Sequence, residues 1–174
     1  MELKIIDNFL SDNDFHLLKR NTIEMQDGPQ IPFEIVTDVE GASPQQVKDY
    51  WSWYMIYMIY SMDAPRSQIC GEICRLFTPK FEQFVNFRTM IRIKINAYPY
   101  TNVVKEHKKH IDYSYEHIGA VFSLNTCDGY TKFSDGTKVE SVANRIVFFD
   151  ASKYHQSTTT SNAKLRYNIN FNFL

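Results

Sequence analysis

Two histidines and one aspartate carry the most chemistry in this sequence. His110-Ile111-Asp112 sets an imidazole and a carboxylate two residues apart. On an extended chain the side chains at i and i+2 point the same way, so one metal ion can take both. A third donor must come from elsewhere in the fold. His155 is the candidate, because it follows the apolar run Arg145–Phe149 where the chain would leave a sheet. Two imidazoles and a carboxylate on one face of an ion such as iron(II) leave three positions open. A chelating ligand can fill two of them and a diatomic molecule the last. Arg166, eleven residues beyond His155, adds a planar guanidinium able to hold a carboxylate through two parallel bonds. With five histidines and 20 acidic residues, a His-x-acid triplet arises readily by chance, so the motif needs support from its surroundings.

That support comes from the elements around it. From Phe87 onward the chain reads as short strands: Met90–Tyr98, Ile118–Asn125, Tyr130–Phe133, Lys138–Val142, Arg145–Phe149 and Leu165–Phe173. Asp128-Gly129 and Asp135-Gly136 are turn signals between them. In the last strand Leu165, Tyr167, Ile169, Phe171 and Phe173 share one face, and Arg166, Asn168, Asn170 and Asn172 share the other. Met90–Tyr98 repeats the pattern, with Arg92, Lys94, Asn96 and Tyr98 on its polar face. Such a face either meets water or lines the inside of a barrel; periodicity alone does not choose. The first half is mixed. Leu3–Ile6 and Pro32–Val39 are strand candidates, and Ser11 caps a helix to about Met25 with Phe15, Leu18 and Ile23 as its apolar side. Trp51–Tyr60 leans to strand on its aromatic content. Ser67 opens a second helix, Gln68–Phe77, which Pro79 ends; a short turn follows through Phe84. These elements predict helices packed on an antiparallel, barrel-like β-core within one domain. Helical support covers about 1–85 and the β-core about 86–174.

Composition narrows the function classes. At 44% apolar and 15% aromatic, the 174 residues can bury a real core, which argues against disorder. A formal net charge of −1 argues against a broad nucleic-acid footprint, although Lys105, Lys108 and Lys109 sit together. Cys70, Cys74 and Cys127 make an odd count, against a disulfide framework. Cys70 and Cys74 would share a helix face, but no third ligand lies near, so two small packed thiols are the simpler reading. Met1–Leu10 is too polar for a signal peptide, and Trp51–Met62 is shorter than the roughly 20 residues of a membrane span. The expectation is a soluble protein of the cytoplasm.

Other histidines compete with the triplet. His107 and His110 would share a helix face, but no carboxylate completes that set as Asp112 does. His107 is therefore expected beside the ligands or exposed, and His16 and His117 are expected on the surface. The Trp51–Tyr60 run is expected in the core or in a helper strand rather than in a substrate groove.

Taken together, Ile91–Tyr98 (IRIKINAY), His110–Asp112 (HID), Leu124–Phe133 (LNTCDGYTKF), Val139–Asp150 (VESVANRIVFFD), His155 and Arg166–Phe171 (RYNINF) resemble the prolyl 4-hydroxylase group of iron(II)- and 2-oxoglutarate-dependent oxygenases. Ile5–Leu10 (IIDNFL) fits as well, and more narrowly the chain is similar to the short phage-encoded members. Asn144-Arg145 resembles a family turn leading into a core strand, and that resemblance implies a structural role, fixing the turn and pairing a charge. The likeness is loose over Asp49–Glu82.

The resemblance implies a double-stranded β-helix, a jelly-roll or cupin-like α+β fold, mainly β, with N-terminal helices packed on the sheet. It implies His110, Asp112 and His155 as iron ligands and Arg166 as the anchor for the distal carboxylate of 2-oxoglutarate. Tyr98 and Asn168 are implied beside that co-substrate. The family often carries a tyrosine where this chain has Ser123, so the contact there departs from the pattern. The implied reaction is hydroxylation with dioxygen, releasing succinate and carbon dioxide, with ascorbate as a supporting reductant. The implied substrate is a prolyl residue of a peptide or protein, a small molecule being the other option. A nucleic-acid base oxygenase shares the Arg-x-Asn of Arg166 and Asn168, but normally continues to a second arginine where Asn170 and Asn172 stand here. A metal-binding barrel without turnover is the non-enzymatic alternative.

Overall fold

A computed structural model describes residues 1–24, 31–37 and 51–174. The expected extension of the first helix to Met25, and the far end of the Pro32–Val39 strand, lie outside them. The elements run β1 (Lys4–Ile6), α1 (Asp12–Thr22), β2 (Glu34–Val36), β3 (Tyr54–Ser61), β4 (Ala64–Pro65), α2 (Cys70–Phe84), β5 (Met90–Pro99), β6 (Ile118–Ser123), β7 (Tyr130–Phe133), β8 (Lys138–Glu140), β9 (Ile146–Asp150), β10 (His155–Gln156) and β11 (Leu165–Phe173). Ser11 caps α1 as expected, its hydroxyl accepting from the Asp14 amide.

Two antiparallel sheets form. The larger has eight strands in the order β1-β9-β6-β11-β5-β3-β2, with β4 beside β3, and the smaller is β10-β7-β8. The strand period of two decides what lies on each side of the large sheet. Ile146 and Phe148 of β9, Phe122 of β6, and Ile169, Phe171 and Phe173 of β11 point to the helix side, where they meet Phe77 and Phe81 of α2. Phe81 packs 5.1 Å from Phe171 and 5.0 Å from Phe173, centroid to centroid. Val121, Val147 and Phe149 point the other way and pack with Phe133 and Val139 of the small sheet. The two sheets therefore face each other, as in a double-stranded β-helix. The polar faces of β5 and β11 look into the space between them.

The second helix departs from expectation. It is one helix from Cys70 to Phe84 with Pro79 inside it, rather than Gln68–Phe77 followed by a turn. A proline in a helix interior costs about 3 kcal/mol. Phe81 is wholly buried and Phe84 partly so, and a buried Phe contributes roughly 1.5–3 kcal/mol. Core packing thus offsets the local penalty. Ser67 sits just before the helix, where its hydroxyl bonds Tyr57 and the Ile69 amide. Asn144 behaves as expected: it adopts φ 63°, exchanges side-chain bonds with the backbone of Leu10, and precedes Arg145, which pairs with Asp7 at 2.6 Å. Among the described residues no helix is long and apolar enough to cross a membrane.

Phe81 is the joint between α2 and the sheet. Phe81→Ala should lower unfolding free energy by about 3–5 kcal/mol in urea denaturation.

Candidate metal centre and co-substrate pocket

His110, Asp112 and His155 come together at one end of the space between the sheets. Their ligand atoms all lie within 4.8 Å of one another, close enough to hold a single metal ion. The His-x-Asp triplet lies outside any regular strand. His110 makes an isolated bridge to His155, with amide-to-carbonyl bonds of 2.8 and 2.9 Å, and the Asp112 amide bonds the Ala151 carbonyl at 3.1 Å. Backbone pairing at residues 110 and 112 preserves the i, i+2 alignment without a strand around it. His155 belongs to β10, a two-residue strand that periodicity could not reveal.

The surroundings set the charge and orientation of Asp112 and His155. Burial alone would raise the pKa of Asp112. The charge of Arg92 overrides that, with His155, Lys94 and a bond from Asn172 adding to it, and the carboxyl stays well below the usual range. Arg92 Nη2 donates to Asp112 Oδ1 at 2.7 Å and Asn172 Nδ2 to Oδ2 at 2.8 Å, so both oxygens are oriented. Arg92 is itself held by Asn172 Oδ1 at 3.1 Å and by the Tyr113 ring. Burial pushes the His155 pKa down to about 4, so the ring is neutral at pH 7. Its Nδ1 faces the Lys153 carbonyl at 3.0 Å, which places the N–H there and leaves the Nε2 lone pair 3.8 Å from Asp112.

Arg166 occupies the other end. The strands pair Arg92 with Asn172, Lys94 with Asn170, Asn96 with Asn168, and Tyr98 with Arg166, a ladder of inward polar residues. Arg166 is 1% exposed. Its guanidinium donates to Ser141 Oγ at 2.6 Å, Thr131 Oγ1 at 3.0 Å and the Thr158 carbonyl at 3.3 Å, and its Cζ lies 5.3 Å from the centre of the Tyr98 ring. No carboxylate pairs with it among the described residues. Gly129 makes room for its stem: a Cβ there would lie 2.6 Å from Arg166 Cδ and 2.7 Å from the Thr159 carbonyl. Between the two ends lies a small cavity of about 40 Å³, lined by the triad, Tyr98, Thr131, Ser157, Asn168 and neighbours. The carbonyl oxygens of Asn96 and Asn170 are buried there without a partner. Ser123 faces inward opposite Asn168 and is 5% exposed.

The remaining candidates sort differently. His107 is buried and stacks on Tyr98, beside the pocket. His117 is 5% exposed, not on the surface as expected, because Tyr113 and Tyr115 pack around it. His16 is exposed. Cys70 is buried, Cys74 is half-buried, and neither joins a metal cluster among the described residues. Tyr54 of β3 does reach the cavity, while Ile59 of the same strand fills the core.

No protein-family model and no curated protein matches this chain. Solved structures do. A 2OG-Fe(II) oxygenase family protein from Burkholderia pseudomallei superposes with a TM-score of 0.71 at 13% identity, covering 98% of this chain and 84% of that one. The fold is that of the 2-oxoglutarate- and iron(II)-dependent oxygenases. A prolyl hydroxylase from Trichoplax adhaerens, bound to a hypoxia inducible factor oxygen degradation domain peptide fragment, gives 0.66 at 15% identity, covering 98% and 83%. A Pseudomonas putida prolyl-4-hydroxylase gives 0.61 at 16% identity, covering 98% and 91%. On this oxygenase fold, Arg92 and Asn172 are the residues that sequence reasoning passed over. Both stood on polar strand faces, but only the β5–β11 register shows that they meet at Asp112.

Asn172→Leu should leave the fold intact and weaken divalent-metal binding about 10–100-fold, read by calorimetric titration with manganese(II).

Proposed function

We propose that the chain is a single-domain iron(II)- and 2-oxoglutarate-dependent dioxygenase that hydroxylates a substrate C–H bond. The observation that carries this reading is the pairing of a His-Asp-His cluster with a buried arginine that lacks a carboxylate partner among the described residues. The donor set suits iron(II), since two neutral imidazoles and one carboxylate leave positions open. The pocket suits 2-oxoglutarate, since one end chelates and the other answers a carboxylate.

Iron(II) and 2-oxoglutarate together supply the oxidation of a C–H bond by dioxygen, leaving succinate and carbon dioxide. The chain supplies the rest. His110, Asp112 and His155 hold the metal. Arg92 and Asn172 keep Asp112 ionised and aimed. Arg166 anchors the distal carboxylate, with Tyr98, Asn168 and Ser123 along the same inner face. Burial of that face keeps water from competing for the guanidinium. For the substrate we propose a prolyl residue of a peptide or protein. A peptide-bound prolyl hydroxylase of the same fold supports that class.

The test is succinate release from 2-oxoglutarate with iron(II), oxygen and ascorbate, together with a one-oxygen mass gain on peptide pools. Arg166→Ala should weaken 2-oxoglutarate binding at least about tenfold, the low end for a charged hydrogen-bonded pair, while manganese(II) binding is retained. Iron-loaded protein that releases no succinate would favour a binding barrel instead.

A further inference from the structure

The head of Arg166 is gripped from the sheet opposite its own. Its stem leaves β11 in the large sheet, and two of the groups that hold its guanidinium, Thr131 and Ser141, belong to the small-sheet side. Thr131 of β7 pairs with Val139 of β8. Two residues on, Ser141 continues that pairing: its amide donates to the Gly129 carbonyl at 2.9 Å, and its carbonyl accepts from the Cys127 amide at 3.0 Å. Backbone bonds thus fix Ser141 on both sides, and the residue is buried. Gly129 leaves the room beside it that the Arg166 stem occupies.

A guanidinium donates through five N–H groups and accepts nothing, so each partner here is an acceptor. Nε–H goes to Ser141 Oγ at 2.6 Å, one N–H of Nη2 to Thr131 Oγ1 at 3.0 Å, and one N–H of Nη1 to the Thr158 carbonyl at 3.3 Å. Among the described residues one N–H is then left on each terminal nitrogen. A carboxylate is held best by two parallel N–H bonds. An arginine can offer them along its end, from both terminal nitrogens, or along its side, from Nε and one of them. Ser141 closes the side, through the shortest of the three bonds. The partners also give the head a direction. Thr131, on Nη2, lines the cavity that the metal ligands share, whereas Ser141, on Nε, does not. The terminal end of Arg166 is therefore the end nearest that cavity.

We propose that Ser141 is a positioning residue for the co-substrate. By filling Nε–H it commits Arg166 to presenting its terminal edge, and so sets the preference of the pocket for a 2-oxo acid with a second carboxylate. Ser141 acts through Arg166 and not on the ligand. The inference rests on the oxygenase reading above.

Calorimetry on the manganese(II)-loaded protein tests it, with 2-oxoglutarate and 2-oxobutanoate as the two ligands. Both acids chelate through the same end, and only 2-oxoglutarate carries a group for Arg166. Ser141→Ala removes the acceptor and frees Nε–H. It should raise the 2-oxoglutarate Kd about tenfold, the effect of one lost hydrogen bond to a charged group, and leave the 2-oxobutanoate Kd unchanged. A residue that only supported the fold would weaken both acids alike. Ser141→Cys, which keeps a weaker acceptor in the same place, should fall between wild type and Ser141→Ala. Manganese(II) affinity should be unchanged in both variants, which reports an intact metal site; if Ser141→Ala fails that control, Ser141→Cys against wild type carries the same comparison. An unchanged 2-oxoglutarate Kd in Ser141→Ala, or an equal loss for the two acids, would overturn the role of Ser141 alone. Wild-type protein that binds manganese(II) but no 2-oxoglutarate would overturn the oxygenase reading and the role of Ser141 with it.

Discussion

Arg166 holds a permanent charge where water does not reach it. A guanidinium in that position is costly unless its donors are answered, and truncating a buried pair is punished for the same reason. Here two threonines and a serine answer three of five donors, and the face of Tyr98 answers the charge in part. No acid neutralises it among the described residues. On the proposed function, the counter-charge would arrive with the distal carboxylate of 2-oxoglutarate. Much of the local architecture serves that condition. Gly129 is small because a side chain would strike the arginine stem. The inner face of β11 continues with Asn168, Asn170 and Asn172, neutral groups that supply no opposing charge.

At the far end of the same strand the logic reverses. Asn172 and Arg92 secure an ionised carboxylate, and His155 is kept neutral by burial. The candidate cation site and the proposed anion site therefore stand at opposite ends of one strand. The outer face of that strand packs on α2 through Phe171 and Phe173, which holds the Asn172 end in place.

Much of this was legible from residue order. Strand alternation in Leu165–Phe173 gave both the arginine and the core aromatics, because a period of two survives any tertiary arrangement. The ambiguity over the polar face was real: alternation says two faces differ, not which one is buried. Only the small sheet, lying across from β6 and β9, decides that. Pro79 misled for a related reason, since local propensity is silent about the aromatic contacts that carry α2 past it. The bridge at His110 was illegible because it joins segments distant in sequence, and His117 because nothing in the alternation of the chain shows that Tyr113 and Tyr115 fold over it. The pairing of Arg92 with Asp112 spans 20 residues and needed the register of β5.

The most direct test of this account is thermal unfolding of manganese(II)-loaded protein with two chelating acids. 2-Oxoglutarate and 2-oxobutanoate share the 2-oxo acid end, but only the former has a distal carboxylate. If Arg166 waits for that group, 2-oxoglutarate at 100 times its Kd should stabilise the fold by about 2.7 kcal/mol, with a matching rise in Tm. The same concentration of 2-oxobutanoate should do far less. Equal stabilisation by the two acids would contradict the assignment of the buried guanidinium.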